Sequence, residues 1–373
     1  MLKKFCFLSI IFIIFFSSCS FNKAPTELFS SPNWEEGKLS VHQKRIVIAS
    51  THNFQGQIKA ENIKFPSLKG QSPRQLKVGG VAFLKTYIDI LKYRYGKDLI
   101  LLDTGHIFNL QKPDEKEIIL KIYREFGYDG VNLTDLDFQA LNILKPESHK
   151  IPFMTSNIID LEKNKPTSYH GVSPYKIINK DGVKVGIVAL TSYEKVDKKN
   201  SKDFTGFYFE DPILSFLKTK KIFQSQGVDI ILLMPSVESY EELKRLVKRL
   251  PPNSVDAIIS GNTYTTNTQI NGIPLLQNPG KGQYISRIEF VYDLEDKVLI
   301  KDKINQPQPT KVCHNFYQAT MDCHQHSINE LTEARAKLIQ ESNYKIIPAK
   351  FLGHEVKRND RIDIYLNKDK FIQ

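Results

Sequence analysis

The feature of this 373-residue chain that most constrains its fold is a repeated alternation of short apolar segments and longer amphipathic ones. Uninterrupted apolar runs rich in β-branched residues predict strands that are buried on both faces. The chain has seven such runs, at Arg45–Ala49, Leu99–Leu102, Val131–Leu133, Phe153–Asn157, Val183–Leu190, Val228–Met234 and Ala257–Ser260. Apolar residues at three- and four-residue spacing predict helices over Gly80–Tyr95, Asp114–Phe126, Asp211–Gln226 and Ser239–Leu250. This alternation predicts an α/β domain.

Two turn signals add antiparallel pieces to this pattern. Asp181-Gly182 and Asn271-Gly272 each separate two short apolar segments. Both dipeptides suit type I′ turns, so each predicts a β-hairpin.

Five segments each contain a polar or glycine-containing loop beside a predicted strand or helix. They are Ile46–Gln57, Gly79-Gly80, Leu101–His106, Gly127–Leu133 and Val255–Gly261. In order and spacing they resemble the N-terminal domain of the 5'-nucleotidase family, within the calcineurin-like metallophosphoesterases, over roughly residues 44–295. The resemblance implies a four-layer α/β/β/α sandwich, in which two sheets face each other and the helices lie outside.

The resemblance also implies a site for two metal ions, and the chain departs from the family at the ligand positions. Such a site holds two cations about 3.5–4 Å apart and needs a bridging carboxylate. The positions where the family has ligands or a catalytic acid hold Asn53, Gln55, His106, Asp135, Leu136, Pro235, Asn262 and Tyr264. A neutral imidazole at the bridging position, His106, can bind one metal but not two. We therefore expect no catalytic residue at these positions and no metal cofactor.

A rebuilt single-metal site is the alternative. Histidine and carboxylate side chains that would lie near one end of the sheet are His52, Asp103, His106, Asp135 and Asp137. Two histidines and two carboxylates suffice for one divalent ion such as Mn²⁺, Zn²⁺ or Fe²⁺. Each residue also has an ordinary interpretation, as a helix cap or a hydrogen-bonded loop residue.

The N-terminal residues are typical of a bacterial lipoprotein signal. Lys3 and Lys4 precede an apolar run over Phe5–Phe16, and Ser17-Ser18 leads to Cys19. We predict a signal peptide over residues 1–18, a lipid on Cys19 and a flexible tether over residues 19–43. The mature protein would lie in the cell envelope, anchored to the membrane and facing the periplasm or the exterior. An ordinary secretory signal with an incidental cysteine is the alternative.

The C-terminal tail, residues 296–373, has a weaker pattern. Only 73 residues follow position 300, fewer than the ~100–150 of a usual domain. The nucleoside-gripping second domain of longer family members is therefore expected to be missing. The tail contains one predicted helix, Ser327–Glu341, and two cysteines. Cys313 and Cys323 are expected to form a disulfide in an oxidising compartment, although a redox or metal-handling role of the segment 313–326 is an alternative.

The charge pattern gives no sign of nucleic-acid binding. The formal charge of +11 comes from 52 Lys and Arg against 41 Asp and Glu, and the positive residues are scattered among acidic ones. We therefore expect a lipid-anchored protein that has lost two-metal hydrolysis and binds an unknown protein or small molecule. The alternative is a metal-dependent phosphoesterase with a rebuilt site.

Overall fold

Two β-sheets form the centre of the structure, a computed structural model that describes residues 39–63, 76–141, 150–191, 204–261, 268–323 and 345–368. The spatial order of the first sheet is β17 (Val298–Leu299), β16 (Tyr284–Asp293), β1 (Gln43–Thr51), β4 (Leu99–Asp103), β5 (Gly130–Asn132) and β6 (Phe153–Met154), and β18 (Thr310–Lys311) also pairs with β16. The order of the second is β14 (Gln269–Ile270), β15 (Ile273–Leu276), β13 (Ala257–Ile259), β12 (Ile230–Pro235), β10 (Val183–Leu190) and β9 (Tyr175–Lys180). The strands β1, β4, β5 and β6 are parallel, as are β10, β12, β13 and β15.

Helices and four small sheets complete the described fold. The helices are α1 (Val81–Tyr95), α2 (Lys116–Phe126), α3 (Asp135–Leu141), α4 (Pro212–Ser225), α5 (Tyr240–Arg249) and α6 (Asp360–Lys368). The small sheets pair β2 (Glu61–Ile63) with β3 (Leu76–Val78), β7 (Ile158–Asp160) with both β11 (Phe207–Phe209) and β8 (Lys165–Pro166), β19 (Asn315–Tyr317) with β20 (Ile346–Pro348), and β21 (Lys350–Phe351) with β22 (His354–Glu355). None of the helices in these ranges is both long and apolar enough to cross a membrane.

Alternation along the central strands divides the buried residues into three apolar layers. In β1, Ile46 and Ile48 belong to the core between the two sheets, whereas Val47 and Ala49 belong to the core beneath α1 and α2. Leu232 of β12 faces the first sheet, and its neighbour Leu233 packs in the core beneath α4 and α5. Because successive side chains of a strand point to opposite faces, apolar strands of this kind must be covered by other elements on both faces. The predicted α/β/β/α sandwich is therefore confirmed.

The predicted strands and hairpins are confirmed, with differences at some strand ends. Both Asp-Gly and Asn-Gly turns have positive φ at their two residues, as type I′ turns require. The strand predicted over Phe153–Asn157 is shorter and ends at Met154. The polar residues that follow Met154 do not continue this strand in the first sheet, because the Ser156 N–H donates to Ala189 O of the second sheet at 2.8 Å. The predicted helix Ser327–Glu341 lies outside the described residues.

The described part of the C-terminal tail packs on the helices of the first layer. Helix α6 contacts α1 and α2, and Ile362 of α6 is fully buried. Cys313 and Cys323 form a disulfide with a Cα–Cα distance of 5.8 Å, and both are buried. The Tyr87 hydroxyl of α1 donates to Cys313 O and accepts from the Cys313 N–H, each at 3.0 Å. The disulfide therefore fixes a segment that is hydrogen-bonded to α1.

We expect the disulfide to contribute measurably to stability. Replacing both Cys313 and Cys323 by serine should lower the free energy of unfolding by roughly 3 kcal/mol, because the closed loop restricts the unfolded chain. Urea titration of the two proteins would measure this difference. Dithiothreitol should reproduce the loss in the wild type and leave the double variant unchanged; equal stability of both proteins without reductant would contradict the expectation.

Candidate functional site

The polar loops that follow the central strands converge between the two sheets. We call this region the strand-end site; it is formed by the carboxyl ends of β1, β4 and β5 in the first sheet and of β10, β12 and β13 in the second. Within the first sheet, the loops after β1 and β4 are joined by two backbone hydrogen bonds of 2.9 Å, from Gln55 N to His106 O and from Gly56 N to Ile107 O. These bonds place the first two predicted ligand loops side by side.

Side chains of the first sheet reach carbonyl oxygens at the strand ends of the second. Asn132 Nδ2 of β5 donates to Leu190 O at 3.2 Å and to Met234 O at 2.9 Å. His52, which follows β1, contacts Ser260 O through Nδ1 at 2.8 Å. These contacts join the two sheets at the strand-end site.

The loop backbone keeps a conformation that favours glycine and asparagine. Asn53, Gln55 and His106 have φ values of 42°, 54° and 57°. Gly105 has φ 82°, and a Cβ placed on it would lie 2.2 Å from Asn132 O. Only glycine fits this position, because the backbone of the neighbouring strand occupies the space.

The structure brings the described ligand positions of the family to this site. Asn53 is buried, Gln55 and His106 are half-buried, and Pro235 ends β12 beside Leu190. Asp135 and Leu136 begin α3, directly after the loop that follows β5. Asn262 and Tyr264 lie outside the described residues. The residues that occupy these positions are therefore two amides, one imidazole, one carboxylate, one leucine and one proline.

Asp103 is committed to hydrogen bonds within the protein. Its carboxylate accepts from Thr51 Oγ1, from the Gly105 N–H at 2.8 Å and from Tyr123 OH at 3.4 Å. The Tyr128 hydroxyl contacts Thr51 Oγ1 at 2.6 Å. Burial raises the pKa of Asp103 to about 7. These contacts indicate that Asp103 fixes the end of β4 rather than facing a ligand.

Asp137 holds the loop that carries His106. One carboxylate oxygen accepts from the His106 N–H at 2.6 Å and from Thr134 Oγ1 at 2.9 Å. The other accepts from the N–H groups of Ile107 at 2.8 Å and Phe108 at 3.3 Å. Burial raises the pKa of Asp137, and these hydrogen bonds oppose the rise because they favour the carboxylate.

His52 is a buried neutral link between the sheets. Because Ser260 O can only accept, the ring proton lies on Nδ1, and Ser50 Oγ donates to Nε2 at 2.9 Å. Burial lowers the pKa of His52 to about 4. Both ring nitrogens are used, so His52 has no lone pair directed to a metal.

Asp135 and His106 are the ionisable predicted residues that remain near solvent. Burial raises the pKa of Asp135, the charges of Glu238 and Asp137 add to the rise, and His106 opposes it. Glu238, which follows β12, is therefore a further ionisable residue whose charge influences Asp135. Sequence reasoning did not identify Glu238.

The donor set does not fit a pair of divalent cations. Among the described positions, the bridging one holds His106 instead of a carboxylate, and the amides, leucine and proline cannot replace the charged ligands of a two-metal site. The alternative five-residue set is not assembled as a metal site: His52, Asp103 and Asp137 direct their polar atoms to protein partners. Across the described ranges, no group of three or more His, Cys, Asp or Glu residues is arranged to hold a metal ion.

The cysteine and histidine segment of the tail packs against the loop that precedes α1. Its cysteines form the disulfide, and the His314 ring stacks on Phe83 with a centroid distance of 3.5 Å. His314 Nε2 contacts Gly79 O at 2.8 Å, and burial lowers the pKa of this histidine to about 4. His324 and His326 lie outside the described residues.

Comparisons of sequence find nucleotidases. No protein-family profile matches the chain. The 5'-nucleotidase of Vibrio cholerae serotype O1 is 26% identical over 209 residues, which cover 49% of this chain and 36% of that protein. Protein UshA of Yersinia enterocolitica is 22% identical over 253 residues, or 57% of this chain and 45% of that protein. The chain thus spans less than half the length of these two relatives.

Comparisons of structure find the same fold. The NAD nucleotidase NadN of Haemophilus influenzae superposes with a TM-score of 0.64 and 14% identity, covering 88% of this chain and 60% of that one. The calcineurin-like phosphoesterase YfkN of Bacillus subtilis gives a TM-score of 0.59 and 15% identity, covering 88% of this chain and 97% of that one. At these identities the likeness establishes the fold alone.

The low pKa of His52 predicts a pH-dependent contribution to stability. Between pH 6.5 and 4 the unfolded chain protonates this histidine and the folded protein does not, so stability falls as the pH falls through this range. The stability of the wild type minus that of His52→Asn, measured by urea unfolding, should decrease by about 3 kcal/mol over this interval. Asn can keep a donor near Nδ1 but cannot take up a proton. A pH-independent difference would exclude a neutral, buried His52.

Proposed function

Because the chain carries a metallophosphoesterase domain of the 5'-nucleotidase type, we propose that it is a lipid-anchored, extracytoplasmic binding protein that does not hydrolyse phosphate esters at a two-metal site. It would bind a protein or a small molecule through the strand-end site or the surface around it. The lipid would be attached to Cys19, and the mature protein would face the periplasm or the exterior of a bacterial cell.

The observation that supports a binding role is the replacement of ligands at positions that the fold still brings together. The loops after β1, β4 and β5 converge as hydrolysis would require, but they present Asn53, Gln55 and Leu136 where charged or imidazole ligands are needed. Asp103 and Asp137 are used to hold the loops. A fold that is retained while its ligands are lost favours binding over catalysis.

A metal-dependent phosphoesterase with a rebuilt site is the second candidate. The position of Asp135 supports it: Asp135 lies on the same first turn of α3 as Asp137, which accepts from the His106 N–H, and carboxylate and imidazole groups are common metal ligands. On this alternative, His106 would be a metal ligand, and the enzyme would need it.

Metal content and phosphate release separate the two candidates. We expect the full-length protein, purified with Mn²⁺, Zn²⁺ or Co²⁺ and dialysed, to retain far less than one metal ion per chain. We also expect it to release phosphate from nucleotides and from a model phosphodiester at the rate of the metal-containing buffer. The physical reason is the absence of a shared carboxylate to hold two cations.

A pair of histidine variants provides the control. His106→Ala changes the strand-end site, whereas His42→Ala changes an exposed histidine that pairs with Glu295 at 3.4 Å. Under the binding proposal, both variants behave like the wild type in the phosphate assay. Turnover by the wild type that is retained in His42→Ala and lost in His106→Ala would establish the rebuilt enzyme instead.

A further inference from the structure

Two buried polar atoms at the strand-end site have no hydrogen-bond partner among the described residues. They are Thr104 Oγ1, on a residue that is 1% exposed, and Asn132 Oδ1, on a residue that is fully buried. A buried polar atom without a partner is costly, so native structures usually supply one from the protein or from a bound molecule.

The orientation of the Asn132 amide follows from its other contacts. Its nitrogen donates to Leu190 O and Met234 O, and carbonyl oxygens cannot donate in return. The amide is therefore fixed with Nδ2 toward the second sheet, and Oδ1 must point to another direction. This oxygen is an acceptor that lacks a donor.

Thr104 lies beside Asn132 at the floor of the site. Asp103 pairs with Val131 in the parallel ladder, and Thr104 and Asn132 come one position later on these two strands. A Cβ placed on Gly261, which follows β13 of the second sheet, would lie 2.7 Å from Thr104 Oγ1, so the hydroxyl faces the space between the sheets. Neighbouring strands are about 4.8 Å apart, a separation that one hydrogen-bonding group can bridge.

We propose that the floor of the strand-end site, between Thr104 and Asn132, binds a neutral hydroxyl group. The group donates its proton to Asn132 Oδ1 and accepts one from Thr104 Oγ1. A water molecule or a hydroxyl of a polyol ligand supplies this chemistry equally. A phosphate group suits the floor less well, because a dianion brings acceptors to Asn132 Oδ1, which is itself an acceptor. The inference rests on the proposed function only in treating the strand-end site as a ligand site.

Thermal unfolding of the full-length protein tests the proposal through a matched pair of variants. Thr104→Val removes the hydroxyl at nearly constant shape, and Thr104→Ser keeps it. If a bound hydroxyl joins Thr104 to Asn132, Thr104→Val should melt about 2 °C below the wild type in plain buffer. Thr104→Ser should retain the bound group, which a high-resolution crystal structure would show between the two side chains. If the hydroxyl has no partner, Thr104→Val should melt at or above the wild type.

Added ligands distinguish the two sources of the hydroxyl. With ribitol as the probe, a rise in melting temperature of the wild type and Thr104→Ser, but not of Thr104→Val, identifies a polyol site. A lower melting temperature of Thr104→Val without any ribitol effect, and with water in the crystal, identifies a bound water.

The proposal is overturned if Thr104→Val is at least as stable as the wild type and the crystal shows nothing between Thr104 and Asn132. It is also overturned if inorganic phosphate, and not ribitol, stabilises the wild type and Thr104→Ser but not Thr104→Val, because phosphate would then occupy the floor. Neither readout depends on hydrolysis, so failure here leaves the proposed function standing.

Discussion

The structure depends on satisfying polar groups where the two sheets end. Carbonyl oxygens at Leu190, Met234 and Ser260 lie at the carboxyl ends of the second sheet, where the regular ladder stops. Each would cost roughly 1–3 kcal/mol if it were buried without a donor. Asn132 donates to Met234 O and His52 to Ser260 O, and Leu190 O accepts both from Asn132 and from the Ser236 N–H of its own sheet. The same side chains therefore close the polar end of the sandwich and join its two halves.

The need for hydrogen-bond partners at the strand ends also explains why charged residues at the site are compatible with a binding role. Asp137 accepts three backbone N–H groups and one hydroxyl, so its carboxylate fixes the His106 loop. Asp103 accepts from Thr51, Gly105 and Tyr123 in the same way. A carboxylate that is satisfied by the protein gains less from a cation than one whose oxygens are free. Their presence in the sequence therefore does not by itself indicate a metal site.

The sequence predicted the layers well and the site only in outline. Apolar strands such as Val183–Leu190 could be read directly, because periodicity and burial are local properties. The loops could be placed because strand ends in a parallel sheet share one edge. Neither the shortened strand after Met154 nor the donors from Asn132 could be foreseen, because both depend on carbonyl oxygens distant in the chain. His52 was a candidate ligand by type alone, and only its contact with Ser260 gives it a structural role.

Some polar atoms of the strand-end site have hydrogen-bond partners in the protein and others lack them. This difference determines which kind of ligand would gain the most binding energy there. A site whose polar atoms are all hydrogen-bonded provides little binding energy for a ligand, since each new hydrogen bond must replace an existing one. At the strand-end site the described ionisable groups of the floor are paired, whereas Thr104 Oγ1 and Asn132 Oδ1 are not. A neutral molecule that pairs with these two atoms displaces no protein contact, and a metal ion would have to displace several. On our proposal, the floor of the strand-end site therefore takes a neutral ligand more readily than a cation.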